Sequence, residues 1–234
     1  LLGAALLTLK RRPILAGVMF GLMSYKPQYG ILVPIFLIAG GRWRAIAAAS
    51  VTVVLLAALS FASFGAQTWQ AFFSSIAFTR HVVLEQGGSG FEKLQSAFAA
   101  ARLWGFSVAT AYTFQAAISL IAAIIVIWIW RRTASFDLHA AALATGVLLV
   151  TPYVMDYDLV ILALPIAWLA LEGRRTGFLP WEKSLLAFIW LLPLFARSLA
   201  GHAMIPIAPL AMLLLLADIA SRAAQEAETQ GGFQ

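Results

Sequence analysis

Lys26, Pro27 and Gln28 stand in the middle of an otherwise apolar run from Pro13 to Gly40. As one helix rising about 1.5 Å per residue, the run would exceed the ~30 Å hydrocarbon thickness of a bilayer. An ammonium at the centre of a membrane helix costs roughly 2.5–3.5 kcal/mol on insertion scales, and Pro27 withholds a backbone donor beside it. A broken helix is tolerated at that depth where it is buried in protein or lines a watery cavity. There a lysine offers a point charge suited to phosphate, framed by helix ends with exposed N–H groups. The plain alternative is a kinked helix whose lysine stem reaches back to the interface. The mid-run position favours function, with Tyr25 and Gln28 as flanking substrate contacts.

A second constellation is Thr151-Pro152-Tyr153-Val154-Met155-Asp156-Tyr157-Asp158, joining two apolar runs. Two carboxylates two residues apart, flanked by tyrosines, suit acid/base work or the binding of hydroxyls. They equally suit a polar turn in which one Asp caps the next helix and the other faces a cavity. Arg80-His81 and Glu85 form a third group, before Gly87, Gly88 and Gly90. His81 is a candidate substrate contact there, and a solvated loop face explains it as well. Neither a Walker loop nor a strand-flanked GxGxxG is present, nor HExxH or a nucleophile elbow. His81, His139 and His202 are too far apart to make a metal-spacing cluster, so no metal or cofactor is expected.

The elements that must position these residues are membrane helices. Of the 234 residues, 62% are hydrophobic and 11% charged, and mean hydropathy is +0.89. A soluble domain carries about 25% charged residues, so the expectation is an all-α, polytopic transmembrane helical bundle. The net charge of +6 comes from short basic clusters between apolar runs, as topology signals do, and predicts no nucleic-acid partner. The absence of cysteine excludes disulfides. Further apolar runs cover about Ala45–Phe64, Phe106–Trp130, Leu138–Val154, Leu159–Leu171, Ser184–Phe195 and Met204–Leu216. Pro165, Pro193, Pro206 and Pro209 interrupt several of them. The chain opens inside an apolar run ending at Leu9, too short to span, so it is expected to begin within a helix of a longer protein.

Whether Pro13–Gly40 spans or turns back sets everything downstream. As a re-entrant hairpin with its apex near Pro27, it puts eleven of the 16 Lys and Arg on one side, four opposite and Lys26 in the membrane. A single span divides them almost evenly, so the positive-inside rule favours the hairpin. Residues 1–220 then form the transmembrane domain and 221–234 a frayed cytoplasmic tail. The connection over about 65–105 faces outward: a surface helix with Trp69, Phe72, Phe73 and Ile76, then a second helix from Phe91 to about Trp104. Glu85, Glu92, Asp156 and Asp158 lie on the outer side, with Arg197 and His202 beside a short interfacial turn. Asp137, Glu172, Glu182, Asp218, Glu226 and Glu228 lie on the inner side. Spacing alone thus reaches a membrane-embedded transferase or a transporter of an anionic substrate.

Arg12-Pro13, Gly21-Leu22-Met23-Ser24-Tyr25-Lys26-Pro27-Gln28 and Gly40-Gly41-Arg42-Trp43-Arg44-Ala45 resemble blocks of the bacterial family 87 glycosyltransferases. Lys93-Leu94-Gln95-Ser96 through Gly105 resembles that family's loop helix, and Asp156-Tyr157-Asp158-Leu159 its later polar turn. The likeness runs from about Leu1 to about Leu171. It implies a GT-C-like bundle with broken or re-entrant helices in the bacterial inner membrane, its active side extracytoplasmic. The implied partners are a polyprenyl-phosphate sugar donor, a lipid or glycan acceptor and membrane lipids, and the implied reaction is inverting hexosyl transfer. It further implies a catalytic carboxylate in the first outer loop, which is expected upstream of Leu1, so no residue here is matched to it.

Overall fold

The computed structural model describes residues 1–132 and 135–231. The chain forms two compact units, Leu1–Gly90 and Phe91–Gln234. The described residues contain no strand; one isolated antiparallel bridge pairs Leu94 with Met155. Four of their helices are long and apolar enough to cross a membrane.

The first unit holds α1 (Leu2–Thr8), α2 (Pro13–Leu22), α3 (Leu32–Ala39) and α4 (Trp43–Phe78). Pro13 opens α2, where its missing N–H has no intrahelical partner to lose. Between α2 and α3 the chain makes 3-10 turns at Met23–Tyr25 and Pro27–Gly30. Lys26 separates them at φ −125°, ψ 77°, the extended bias that a following proline imposes.

The break reverses the chain. Phe20 and Phe36 meet edge to face with ring centroids 5.7 Å apart, whereas sixteen residues of unbroken helix would separate them by ~24 Å. Gly17 abuts Ala45 and Ala48, and Gly21 abuts Ala49 and Thr52, so α2 runs parallel to the start of α4 and α3 runs back between them in sequence. Arg12 and Arg44 line one cavity at the shared end. Pro13–Gly40 is therefore a helical hairpin rather than one continuous helix. Farther along α4, Gly65 takes φ 74°, ψ 175°, a left-handed kink closed to most side chains. It divides a membrane-length stretch from the aromatic-rich 66–78, which leads into a π-helical turn at Thr79–Glu85.

The second unit holds α5 (Ala97–Leu103), α6 (Val108–Arg131), α7 (Phe136–Leu149), α8 (Ala163–Thr176), α9 (Glu182–Ala203) and α10 (Ile207–Gly231). Ser96, Ser107 and Ser135 cap α5, α6 and α7, each accepting from the N–H three residues on as N-cap hydroxyls do. The alanine-rich α7 is buried on nearly every side; its small side chains let α6, α8 and α10 approach closely.

Several boundaries differ from the sequence reading. The expected helix from Phe91 starts only at Ala97, because Gln95 donates its N–H to Val154 O (2.7 Å) and is drawn into extended pairing. The short helix it precedes is core, with Phe98, Ala99 and Ala101 buried. The run to Val154 stops being helical at Leu149; Pro152 can neither donate into α7 nor allow its predecessor a helical backbone. Pro193, by contrast, does not end α9, and Pro209 falls in the first turn of α10, where it costs no hydrogen bond. No break occurs at Ser221: α10 continues to Gly231, so 221–231 is helix rather than frayed tail.

The ends of the second unit are chemically distinct. At one, Arg175 meets Asp137 at 2.7 Å, the Ser135 hydroxyl donates to Glu172, and Arg222 pairs with Glu182, both buried. At the other, Trp104 Nε1 donates to Met204 O at 3.0 Å and Arg197 meets Asp156 at 3.3 Å. Within this unit Asp137, Glu172 and Glu182 thus gather at one end of the helices and Asp156 at the other.

Candidate functional site

In the first unit the site is the hairpin apex. Lys26 is tied into it by backbone bonds: its N–H donates to Met23 O at 2.9 Å, and its C=O accepts from Tyr29 N–H at 3.1 Å. The side chain is half-buried, with Nζ 5.6 Å from the ring centroid of Tyr29, inside the cation–π range. Tyr29 is itself buried, so the ammonium is held against a fixed ring instead of sweeping freely. Gln28 is half-buried beside it and Tyr25 is exposed. Ser24, Pro27 and Gly30 line a cavity of about 500 Å³ whose far wall is Ala49, Ser50 and Val54 of α4. The turn thus carries a cation, an amide and a phenol in sequence beside Ser24, Pro27 and Gly30, the turn residues that line this largely apolar hollow.

His81 lies elsewhere in the same unit, on the π-helical turn. Its Nδ1 is 3.2 Å from Glu85 Oε2 and its Nε2 is 3.0 Å from Gln86 Nε2, while Arg80 Nε donates to Glu85 at 2.9 Å. It lines a surface cavity with Arg80 and Glu85, distinct from the one beside Pro27. Both ring nitrogens are engaged by near neighbours in sequence, which fits the solvated-face reading of this group.

In the second unit the two aspartates take different jobs. Asp158 is buried and accepts the Met155 N–H at 3.1 Å, capping the 3-10 turn Asp156–Leu162. Asp156 accepts from Tyr157 N–H at 2.8 Å and from Arg197 Nη1 at 3.3 Å, and it lines a cavity of about 540 Å³ with Arg197 and Ser198. The turn has a rigid floor. Buried Gln115 of α6 accepts from Phe98 N–H at 3.1 Å and donates to Leu149 O at 2.9 Å, and Ser119 donates to Val150 O at 3.1 Å. These side chains satisfy carbonyls that the end of α7 leaves without helical partners.

The division predicts different phenotypes. Asp158→Ala should lower stability by about 0.5–2 kcal/mol, the range for a lost cap. Asp156→Ala should leave thermal unfolding unchanged and lower kcat/KM about ten- to a hundredfold, the scale of one charged hydrogen bond at about 1.5–3 kcal/mol. Thermal melts in detergent beside steady-state kinetics decide this, and identical phenotypes for the two variants would defeat the division.

Lys26, Tyr25 and Gln28 therefore gather in one unit and Asp156 and Asp158 in the other. Sequence reasoning missed Arg197 and Gln115. Arg197 was expected beside an interfacial turn, just after an apolar run ending at Phe195; it belongs to the body of α9 and pairs with Asp156. Gln115 was legible only as a lone amide in an apolar run. Among the described residues, no group of three or more His, Asp or Glu could hold a metal ion.

Compared with known proteins, residues 1–152 match the model of glycosyltransferase family 87, a stretch that includes the Lys26 apex and stops short of Asp156. Neither a curated protein nor a solved structure matches the chain.

Proposed function

The chain belongs to glycosyltransferase family 87, and from that premise we propose that this transferase moves a hexose, mannose-like, from a polyprenyl-phosphate donor to a hydroxyl of a lipid or glycan acceptor. The observation that supports the reading is the turn of the hairpin, where Lys26 Nζ stands 5.6 Å from the ring of buried Tyr29 and the adjoining Pro27 lines an apolar hollow. The acceptor oxygen attacks the anomeric carbon, the bond from that carbon to the phosphate oxygen breaks, and the hydroxyl proton passes to a general base. Negative charge grows on the departing phosphate, where a fixed cation is worth most; Lys26 takes that role, with Gln28 and Tyr25 as neighbouring contacts. Asp156 binds a substrate hydroxyl. The reaction is assigned to the extracytoplasmic face of a bacterial inner membrane, a placement supported by the distribution of Lys and Arg and by the two separate polar ends of the second unit.

The test uses the full-length protein in lipid nanodiscs with two radiolabelled donors, a polyprenyl-phosphate mannose and a nucleotide-linked mannose. Label should reach the acceptor from the lipid-linked donor alone, with one polyprenyl phosphate released per sugar transferred. Transfer from the nucleotide donor in the absence of the lipid-linked one would overturn the donor class.

A further inference from the structure

Arg12 and Arg44 take no part in the transfer, yet they build a site of their own at the end of α2 away from Lys26. Both line one cavity of about 540 Å³, together with Pro13, Ile14, Leu15 and Val18. They reach it from different helices: Arg12 is the N-cap of α2, and Arg44 lies in the first turn of α4, behind its N-cap Arg42. Gly17 abuts Ala45 and Ala48, which holds the two helix starts side by side. Neither start has a side-chain cap, so the dipoles of two neighbouring helices add to the guanidinium charges. Nothing in this unit neutralises them. Its one acid is Glu85, beyond the far end of α4, with its oxygens engaged by Arg80 and His81. Among the described residues neither Arg12 nor Arg44 enters an ion pair, and Arg42 Nε is buried without a hydrogen-bond acceptor.

We propose that this cavity seats the headgroup of one anionic diacyl phospholipid, with its phosphodiester between Arg12 and Arg44 and the upper part of its acyl chains on Ile14, Leu15 and Val18. The site is independent of the donor class and of Lys26. Two features select a lipid over a free anion. Four of the six lining residues are apolar, three of them covering ~6 Å of α2, so the cavity matches an anion joined to hydrocarbon. Trp43, largely exposed between Arg42 and Arg44, sets the depth at the headgroups, where tryptophan side chains concentrate. Cations at a helix end are common in membrane proteins as topology signals. Two unpaired guanidinium groups on one hollow go further, because each planar fork can give two N–H donors to phosphate oxygens. Basic pockets between membrane helices hold phospholipid headgroups for this reason. Bound there, the lipid bridges the starts of α2 and α4.

The probe is a phosphatidylglycerol carrying a photoreactive diazirine at the head of one acyl chain, added to the full-length protein in nanodiscs of phosphatidylcholine. Irradiation and peptide mass spectrometry should place adducts within residues 12–18 and 42–48. The same label on phosphatidylcholine, which has no net charge, should give about twenty-five-fold fewer, at about fivefold for each basic residue beside an anionic headgroup. Excess unlabelled phosphatidylglycerol should suppress the adducts, while glycerol phosphate in solution should not, which separates a lipid seat from a free-anion site. Arg12→Gln and Arg44→Gln should each take about fivefold from the preference, and the double variant should abolish it. Arg12→Lys with Arg44→Lys keeps both charges, and with them insertion and topology, but gives up the forks. Its preference should fall between wild type and the double glutamine variant, so the forks are tested even where the glutamines prevent insertion. Arg174→Gln, an equal loss of charge in the last turn of α8, should change nothing. Equal labelling by the two lipids, suppression by glycerol phosphate, adducts confined to other segments, or a wild-type preference in either double variant would each overturn the proposal.

Discussion

Lys26→Met is expected to lower kcat by about 10²–10³ while thermal unfolding and the amount of protein in the membrane stay at the wild-type level. The magnitude is that of removing one preorganised group from a site of developing charge, about 2.7–4 kcal/mol. Methionine keeps an unbranched stem of similar length against Tyr29 and discards a charge that is costly at membrane depth, so the fold has nothing to lose. Lys26→Arg should recover only part of the rate. A planar fork cannot occupy the place of a compact ammonium whose Nζ stands 5.6 Å from the Tyr29 ring. Tyr29→Leu keeps the charge and removes its ring, and should fall between the two. Single-turnover kinetics with the lipid-linked donor separates the chemical step from product release, and a wild-type rate in Lys26→Met would remove Lys26 from the mechanism.

Lys26 was legible because a charge and a proline in the middle of an apolar run contradict everything around them. The reversal of the chain was legible only indirectly, through the division of Lys and Arg; the meeting of Phe20 and Phe36 has no local signature. The boundaries that were misread share a cause. The apolar run was read to end at Phe195, where polar residues begin, yet α9 passes through Pro193 and continues to Ala203. A spanning helix packed against neighbours can give up one hydrogen bond and carry polar residues at its end. That error hid Arg197, since its partner Asp156 lies 41 residues away and only the antiparallel return of α9 brings them together. The same limit applies to α10. Ala223, Ala224, Gln225, Glu226 and Ala227 are good helix formers, but their polarity read as a tail until Arg222 was found buried against Glu182. The loop helix α5 was expected as part of the outward-facing connection, with no sign that it would be packed as core. Its burial depends on Gln115, whose amide reaches both Phe98 and Leu149 from a helix later in the chain.

Gly17→Val and Gly21→Val are expected to be the most damaging substitutions for folding in the first unit. A Cβ at position 17 would stand 2.3 Å from the carbonyl oxygen of Ala45 and 2.7 Å from the Ala48 Cβ; at position 21 it would stand 2.5 Å from the Thr52 Cβ and 2.8 Å from the Ala49 oxygen. Two of these obstacles are backbone atoms, which no rotamer change can move aside. The two glycines are four residues apart on one face of α2 and meet small residues on α4, the pattern that lets membrane helices approach at backbone distance. Overpacking a well-filled site costs typically about 1–3 kcal/mol, and here each added side chain must push one helix off the other, so each single variant should lie at or beyond the top of that range. The double variant should not be recoverable as a monodisperse protein. The damage extends to function, because α2 leads into the turn that holds Lys26 and its packing on α4 fixes where that turn begins. Gly30 is the internal control: nothing lies within 4 Å of a Cβ built there, so Gly30→Ala should be neutral or stabilise by about 0.4–1 kcal/mol through a stiffer unfolded chain. Thermal melts followed by size exclusion in detergent rank the variants. Gly17→Val melting with the wild type, or Gly30→Ala melting well below it, would show that the contact between α2 and α4 does not hold the hairpin.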